Sequence, residues 1–67
     1  MEYLFISIKN NSSIKDIKIF INKNDAIQES INNPSNRVEI FTKLNNLYIP
    51  TYNYIRNGKY VNTTNLE

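Results

Sequence analysis

The side chains that could perform chemistry in this chain are carboxylates, amines, guanidinium groups, tyrosines and hydroxyls, because the sequence contains neither histidine nor cysteine. Nucleophilic, general-base and zinc chemistry draws largely on those two residue types. Asp25 and Glu29 are four residues apart, a spacing that suits a catalytic pair on one helix face and equally a solvated helix surface. No glycine-rich loop is present to bind phosphate. We therefore predict a protein that is not an enzyme and has no catalytic residue, cofactor or metal site.

Tyrosines and cations are concentrated in the C-terminal half of the chain. If the segments around Asn45-Asn46 and Asn57-Gly58 fold back as hairpins, one side of the resulting sheet would present these groups together. The set is Arg37, Lys43, Tyr48, Tyr52, Tyr54, Arg56 and Lys59. In the expected register Lys43 faces Tyr48, Arg56 faces Lys59 and Tyr54 faces Val61, while Glu39 faces Tyr52 and Arg37 faces Tyr54.

This set of residues has two functional interpretations. Tyrosine and arginine are enriched in protein–protein interfaces, which favours a non-enzymatic interaction or assembly module. The alternative is a small basic nucleic-acid-binding protein, in which rings stack on bases and cations contact phosphates. Ordinary cross-strand packing of tyrosine against lysine or arginine would produce the same pattern without either function. Glu39 falls within the set and weakens the nucleic-acid interpretation.

The first half of the chain has the period of two that is typical of strands. Residues Tyr3 to Ile8 alternate, polar residues 10–13 suit a turn, and Ile14 to Ile21 alternate again. We expect one aliphatic row to form the core under a helix. That row is Leu4, Ile6, Ile8, Ile17, Ile19 and Ile21.

The pattern changes to a helical one after Asn22, a good N-cap residue. Asn33 precedes Pro34, which disfavours helix, so we predict a helix from about Lys23 to Asn32. Ala26, Ile27 and Ile31 would form its inward stripe.

Three more strands are predicted downstream, around Val38–Lys43, Tyr48–Arg56 and Lys59–Asn62, with Pro50 suiting an edge or a break. The fold class is therefore α+β, a single small domain of order ββαβββ with a largely antiparallel sheet and one helix packed on one face. We expect the domain to span residues 1–62 and residues 63–67 to form a flexible tail.

The small size of the chain predicts that it associates with a second copy. A domain of 67 residues without disulfides has a small core and can cover only one sheet face with one helix. The second face, to which Tyr3, Phe5, Phe20 and Phe41 are assigned, would remain exposed, so we expect a homodimer. The net charge of +2 permits an acidic partner. No 18-residue apolar run or signal-peptide pattern is present, so we expect a soluble intracellular protein that does not bind membranes.

Four segments stand out in a composition rich in asparagine and isoleucine: Tyr3–Ile6, Asp25–Ile27, Arg37–Phe41 and Tyr48–Tyr54. With this composition, they resemble short uncharacterised proteins of mimivirus-like giant DNA viruses and their mobile elements. The resemblance implies a host-cytoplasmic or virion setting, with a viral or host protein as a further partner. It implies no activity.

Overall fold

The computed structural model describes residues 2–9 and 17–62, which form five strands and one helix. The elements in chain order are β1 (Tyr3–Ile8), β2 (Lys18–Phe20), α1 (Lys23–Asn32), β3 (Arg37–Leu44), β4 (Leu47–Arg56) and β5 (Lys59–Asn62). All neighbouring strands are antiparallel, in the order β2-β1-β3-β4-β5. The predicted α+β fold of order ββαβββ is confirmed. The predicted turn at residues 10–13, the start of the second strand and the tail at 63–67 lie outside the described residues.

The ends of α1 follow the residues that predicted them. The Asn22 side chain accepts hydrogen bonds from the backbone N–H groups of Asn24, at 2.8 Å, and Asp25, at 3.3 Å. These bonds satisfy two donors that would otherwise lack a partner in the first turn. At the other end, the Asn33 N–H donates to the Glu29 carbonyl just before Pro34. The helix therefore has the bounds that the sequence predicted.

The helix packs on the face of β1 that contains Phe5 and Ser7, which corrects the sequence prediction. The buried apolar residues that form the core are Phe5, Ala26, Val38, Ile40 and Ile55, with Phe20 and Ile27 packed against them. The aliphatic row assigned to the core is not buried under the helix: Leu4, Ile6, Ile8 and Ile19 lie on the opposite face, while Ile17 and Ile21 flank β2. Within this row, Ile19 is 60% exposed and Ile21 is 82% exposed. The prediction was wrong because alternation separates two faces of a strand without showing which face a helix covers.

A buried polar contact joins α1 to β1. Glu29 is only 8% exposed, and its carboxylate accepts a hydrogen bond of 3.1 Å from the Ser7 hydroxyl. The Lys18 ammonium in β2 lies 3.7 Å from the other carboxylate oxygen, and Asn36 donates to the Ser7 oxygen at 3.5 Å. A buried carboxylate is costly unless such groups compensate its lost hydration. The cluster therefore fixes the position of the helix over β1 and β2.

A second polar contact joins α1 to the turn between β4 and β5. The Ser30 hydroxyl donates to the Ile27 carbonyl at 2.7 Å and accepts from the Gly58 N–H at 2.9 Å. Asn57 and Gly58 have φ values of 51° and 78°, as a tight hairpin turn requires. Ile31, predicted to lie in the core, is 47% exposed and packs beside Gly58.

Gly58→Ala should destabilise the protein. The new Cβ would lie 3.0 Å from Cγ1 of Ile31, and a φ of +78° is unfavourable for alanine. We expect the free energy of unfolding to fall by about 1–3 kcal/mol, measured by urea denaturation. The matched control is Asn57→Gly, which keeps the turn and should change stability by no more than about 0.5 kcal/mol. Equal denaturation midpoints for Gly58→Ala and the parent protein would contradict this account of the turn.

Candidate functional site

The sheet has a second face, on the side away from α1, which we call the open face. Paired residues in neighbouring strands project to the same side, so the strand register assigns its members. Those in the strands are Leu4, Ile6, Ile8, Ile19, Arg37, Glu39, Phe41, Lys43, Tyr48, Pro50, Tyr54, Arg56, Lys59 and Val61. No element within residues 2–9 and 17–62 covers this face.

The centre of the open face is apolar. Ile6 of β1 is paired with Ile19 of β2. Leu4 of β1 is paired with Phe41 of β3, and Phe41 is in turn paired with Pro50 of β4. These side chains form one patch across four strands. The patch was missed in the sequence analysis, which assigned the aliphatic row to the core and Phe41 to the opposite face. The sequence contains the alternation that defines the patch, but its exposure depends on which face α1 covers.

Charged and aromatic residues lie on either side of the apolar patch. The Arg37 Nε atom is 2.8 Å from a Glu39 carboxylate oxygen, and the Arg37 guanidinium lies 4.7 Å from the ring centroid of Tyr54. This geometry combines an ion pair with a cation–π contact. It also compensates part of the positive charge that a nucleic acid would contact.

A similar group lies at the other end of the patch. The Lys43 ammonium is 3.4 Å from the Glu2 carboxylate, and the Tyr48 hydroxyl donates to the same carboxylate at 3.4 Å. Arg56 and Lys59 are paired beside the β4–β5 turn, and neither forms an ion pair within the part of the chain that the structure describes. The open face therefore has compensated charge at both ends, with a small cationic corner next to the Arg37 end.

Near the two turns, the predicted register is present in the structure. Lys43 pairs with Tyr48, Arg56 pairs with Lys59, and Tyr54 pairs with Val61. The predicted pairs of Glu39 with Tyr52 and of Arg37 with Tyr54 are wrong.

The difference comes from a bulge in the middle of β4. Glu39 pairs with Tyr54, because β4 has two more residues than β3 between this pair and the pair formed by Phe41 and Pro50. Thr51 stabilises the bulge by donating to the Ile40 carbonyl at 2.8 Å and accepting from the Asn53 N–H at 3.2 Å. Tyr52 lies within the bulge at a φ of 68° and is 67% exposed. The structure therefore brings six of the seven predicted site residues to the open face and leaves Tyr52 in the bulge.

Comparisons of this chain with protein-family models, with curated proteins and with solved structures find no match. Within residues 2–9 and 17–62, no helix has the length and apolar character needed to cross a membrane. No group of three or more acidic side chains in the same ranges could hold a metal ion. The open face and the residues around it are therefore the candidate functional site.

Thr51→Val should destabilise the bulge. The substitution preserves the shape of the side chain but removes the hydroxyl that bonds Ile40 and Asn53, so we expect a loss of about 1–3 kcal/mol in the free energy of unfolding. Thr42→Val is the matched control, because its hydroxyl makes only an exposed contact of 3.4 Å with the Glu2 carbonyl. Chemical denaturation measures both changes. A loss in Thr42→Val as large as that in Thr51→Val would contradict the role assigned to Thr51.

Proposed function

We propose that this chain is a non-enzymatic interaction module that assembles with a second copy of itself through the open face. The observation that supports the proposal is the apolar patch around Leu4, Ile6 and Phe41, which no described element covers. Leu4, Ile6 and Phe41 are each partly buried, and partly exposed apolar surface bordered by polar residues is typical of interaction sites. A viral or host protein remains a proposed further partner.

The size of the open face suits a small dimer interface. Five strands about 4.8 Å apart, with central strands of six residues or more, give a face of roughly 20 by 25 Å. Two such faces in contact would bury on the order of 1,000 Å² in total, which is close to the lower limit for a specific interface. A second copy is therefore an occupant of suitable size.

The charges on the open face favour the same occupant. A two-fold axis along the boundary between β1 and β3 would exchange these two strands between copies. Glu2 would then face Lys43 of the second copy, and Leu4 would face Phe41 of the second copy, in both halves of the interface. Opposite charges would meet at one end of the interface, next to the apolar contact of Leu4 with Phe41. The same axis would bring Ile6 to Glu39 and Ile8 to Arg37 of the second copy, so the complementarity is greatest in the half of the face around Leu4.

The oligomeric state tests this proposal. Light scattering during gel filtration at micromolar concentration should give twice the mass of the 7.9 kDa chain. Leu4→Lys places a charge against Phe41 of the second copy and should give a monomer, while Tyr54→Ala should weaken association. Ile21→Lys is the control, because this highly exposed side chain lies outside the patch and its replacement should leave the dimer intact.

Circular dichroism must show that each variant is folded. A parent protein that remains a monomer at these concentrations would contradict the proposed assembly. Dissociation by Ile21→Lys together with a stable Leu4→Lys dimer would show that the interface lies elsewhere.

A second candidate function is nucleic-acid binding, which is favoured by the cationic corner at Arg56 and Lys59. Bases would stack on exposed tyrosine rings while these cations contact phosphates. The ion pairs of Arg37 with Glu39 and of Lys43 with Glu2 reduce the available positive charge, so this function stands second.

Salt dependence separates the two functions. If nucleic acid binds, labelled single- or double-stranded oligonucleotides should bind at low salt, and affinity should fall steeply as salt rises because counterions are released. Arg56→Glu should weaken that binding at least tenfold, whereas Asp25→Asn on α1 should not. The absence of binding at low salt would exclude this function. An affinity that is unchanged in Arg56→Glu would exclude the cationic corner as the binding site.

A further inference from the structure

A cleft of about 270 Å³ lies on the α1 side of the sheet, beside Lys23, the first residue of the helix. Its walls include the rings of Tyr3, Phe5 and Tyr60. The Tyr3 and Phe5 ring centroids are 6.5 Å apart, with the two planes tilted by 39°. Because α1 covers only part of this side of the sheet, the edge of the core, including Ile55, forms part of the cleft lining. The cleft therefore has a largely apolar lining to which three aromatic rings contribute.

One polar atom in this lining has no partner. The Asn53 side-chain oxygen is buried, and it is the one buried side-chain oxygen or nitrogen without a hydrogen bond among the residues that the structure describes. Burying a hydrogen-bond acceptor without a donor costs free energy, and buried acceptors without a donor are rare in folded proteins. Because Asn53 lines the cleft, a small rotation of its side-chain amide would present this oxygen to a ligand, and a ligand that donates a hydrogen bond to it would remove that cost.

The backbone next to Asn53 is also unusual. Asn53 follows Tyr52, whose positive φ is uncommon for a bulky residue. The Asn53 N–H donates a hydrogen bond to the Thr51 hydroxyl. Bulges often redirect a side chain beside a binding site. The bulge, the unsatisfied oxygen and the cleft therefore coincide at one place in the fold.

We propose that this cleft binds a small planar aromatic acid that has an N–H or O–H donor on its ring. The ring would lie against Tyr3, Phe5 and Tyr60, its donor would bond the Asn53 oxygen, and its carboxylate would lie near the Lys23 ammonium. A cavity of about 150 Å³ holds one benzene molecule, so the cleft has room for two fused rings. This site lies on the opposite side of the sheet from the open face and does not depend on the proposed dimer.

A larger recess next to the cleft shares Tyr3, Phe5 and Lys23 with it but is bordered by Glu2 and Ile21. The Glu2 carboxylate would repel an acid, and the Asn53 oxygen does not line this recess. The smaller cleft is therefore the one to which the ligand is assigned.

Titration of isotopically labelled protein with indole-3-acetate, followed by the NMR shifts of the backbone amides, tests the proposal. Shifts should change around Tyr3, Asn53 and Tyr60, with a dissociation constant on the order of 1 mM, as suits a ligand of this size in an open cleft. The analogue 1-methylindole-3-acetate has no ring N–H, so it should bind about fivefold to tenfold more weakly. This comparison uses the parent protein and does not depend on any variant folding.

Two variants assign the contacts. Asn53→Leu should abolish the difference in affinity between the two probes, and Lys23→Gln should weaken the binding of both acids about threefold or more. Lys59→Gln on the open face is the control for a lost surface charge and should change neither affinity. Unchanged shifts around the cleft at 10 mM probe would overturn the proposal. Equal affinities of the parent protein for the two probes, or shifts confined to the open face, would also overturn it.

Discussion

The close packing of α1 on the sheet is the interaction on which the other features of this protein depend. The helix buries Ala26, Glu29 and Ser30, which are small or polar residues, and large apolar side chains such as Ile31 remain at its border. Two hydrogen-bonded contacts, from Glu29 to Ser7 and from Ser30 to Gly58, determine where it lies. Ten residues cannot cover five strands, so both the cleft and the open face follow from the position of this helix.

Much of the fold could be predicted from sequence because local rules determine it. Asn22 and the Asn33-Pro34 pair bound the helix, and the asparagine-containing turns bound the hairpins, as the structure confirms. The covered face could not be predicted, since β1 has apolar residues on both faces. The face that α1 covers depends on the strand order and on the preferred handedness of the connection between parallel strands. Here α1 connects β2 and β3, which run parallel on either side of β1, and neither the order nor the handedness is a local property.

The candidate site was predicted only in part, because local turns determine some of its strand pairs and a non-local contact determines the others. A turn fixes the register of the residues beside it, so the pairs close to Asn45-Asn46 and Asn57-Gly58 were placed correctly. Farther along β4, Pro50 indicated a break but not that two extra residues would follow it. Thr51 bonds the Ile40 carbonyl across the strands, and this non-local contact determines the bulge. The unsatisfied oxygen of Asn53 follows from that bulge, so no sequence pattern would have identified it.

The position of β1 in the middle of the sheet has a consequence for how the chain reaches its native state. β1 precedes the other strands in the sequence but pairs with β3, and the paired residues lie between 29 positions (Ile8 and Arg37) and 39 positions (Tyr3 and Thr42) apart along the chain. β1 can pair with β2 once β2 has left the ribosome, but its other edge remains unpaired until β3 emerges, whereas the hairpins from β3 to β5 need only near neighbours. The apolar rows of β1 are exposed to other chains during that interval, so the rate of closing this long loop would control the competition between folding and aggregation.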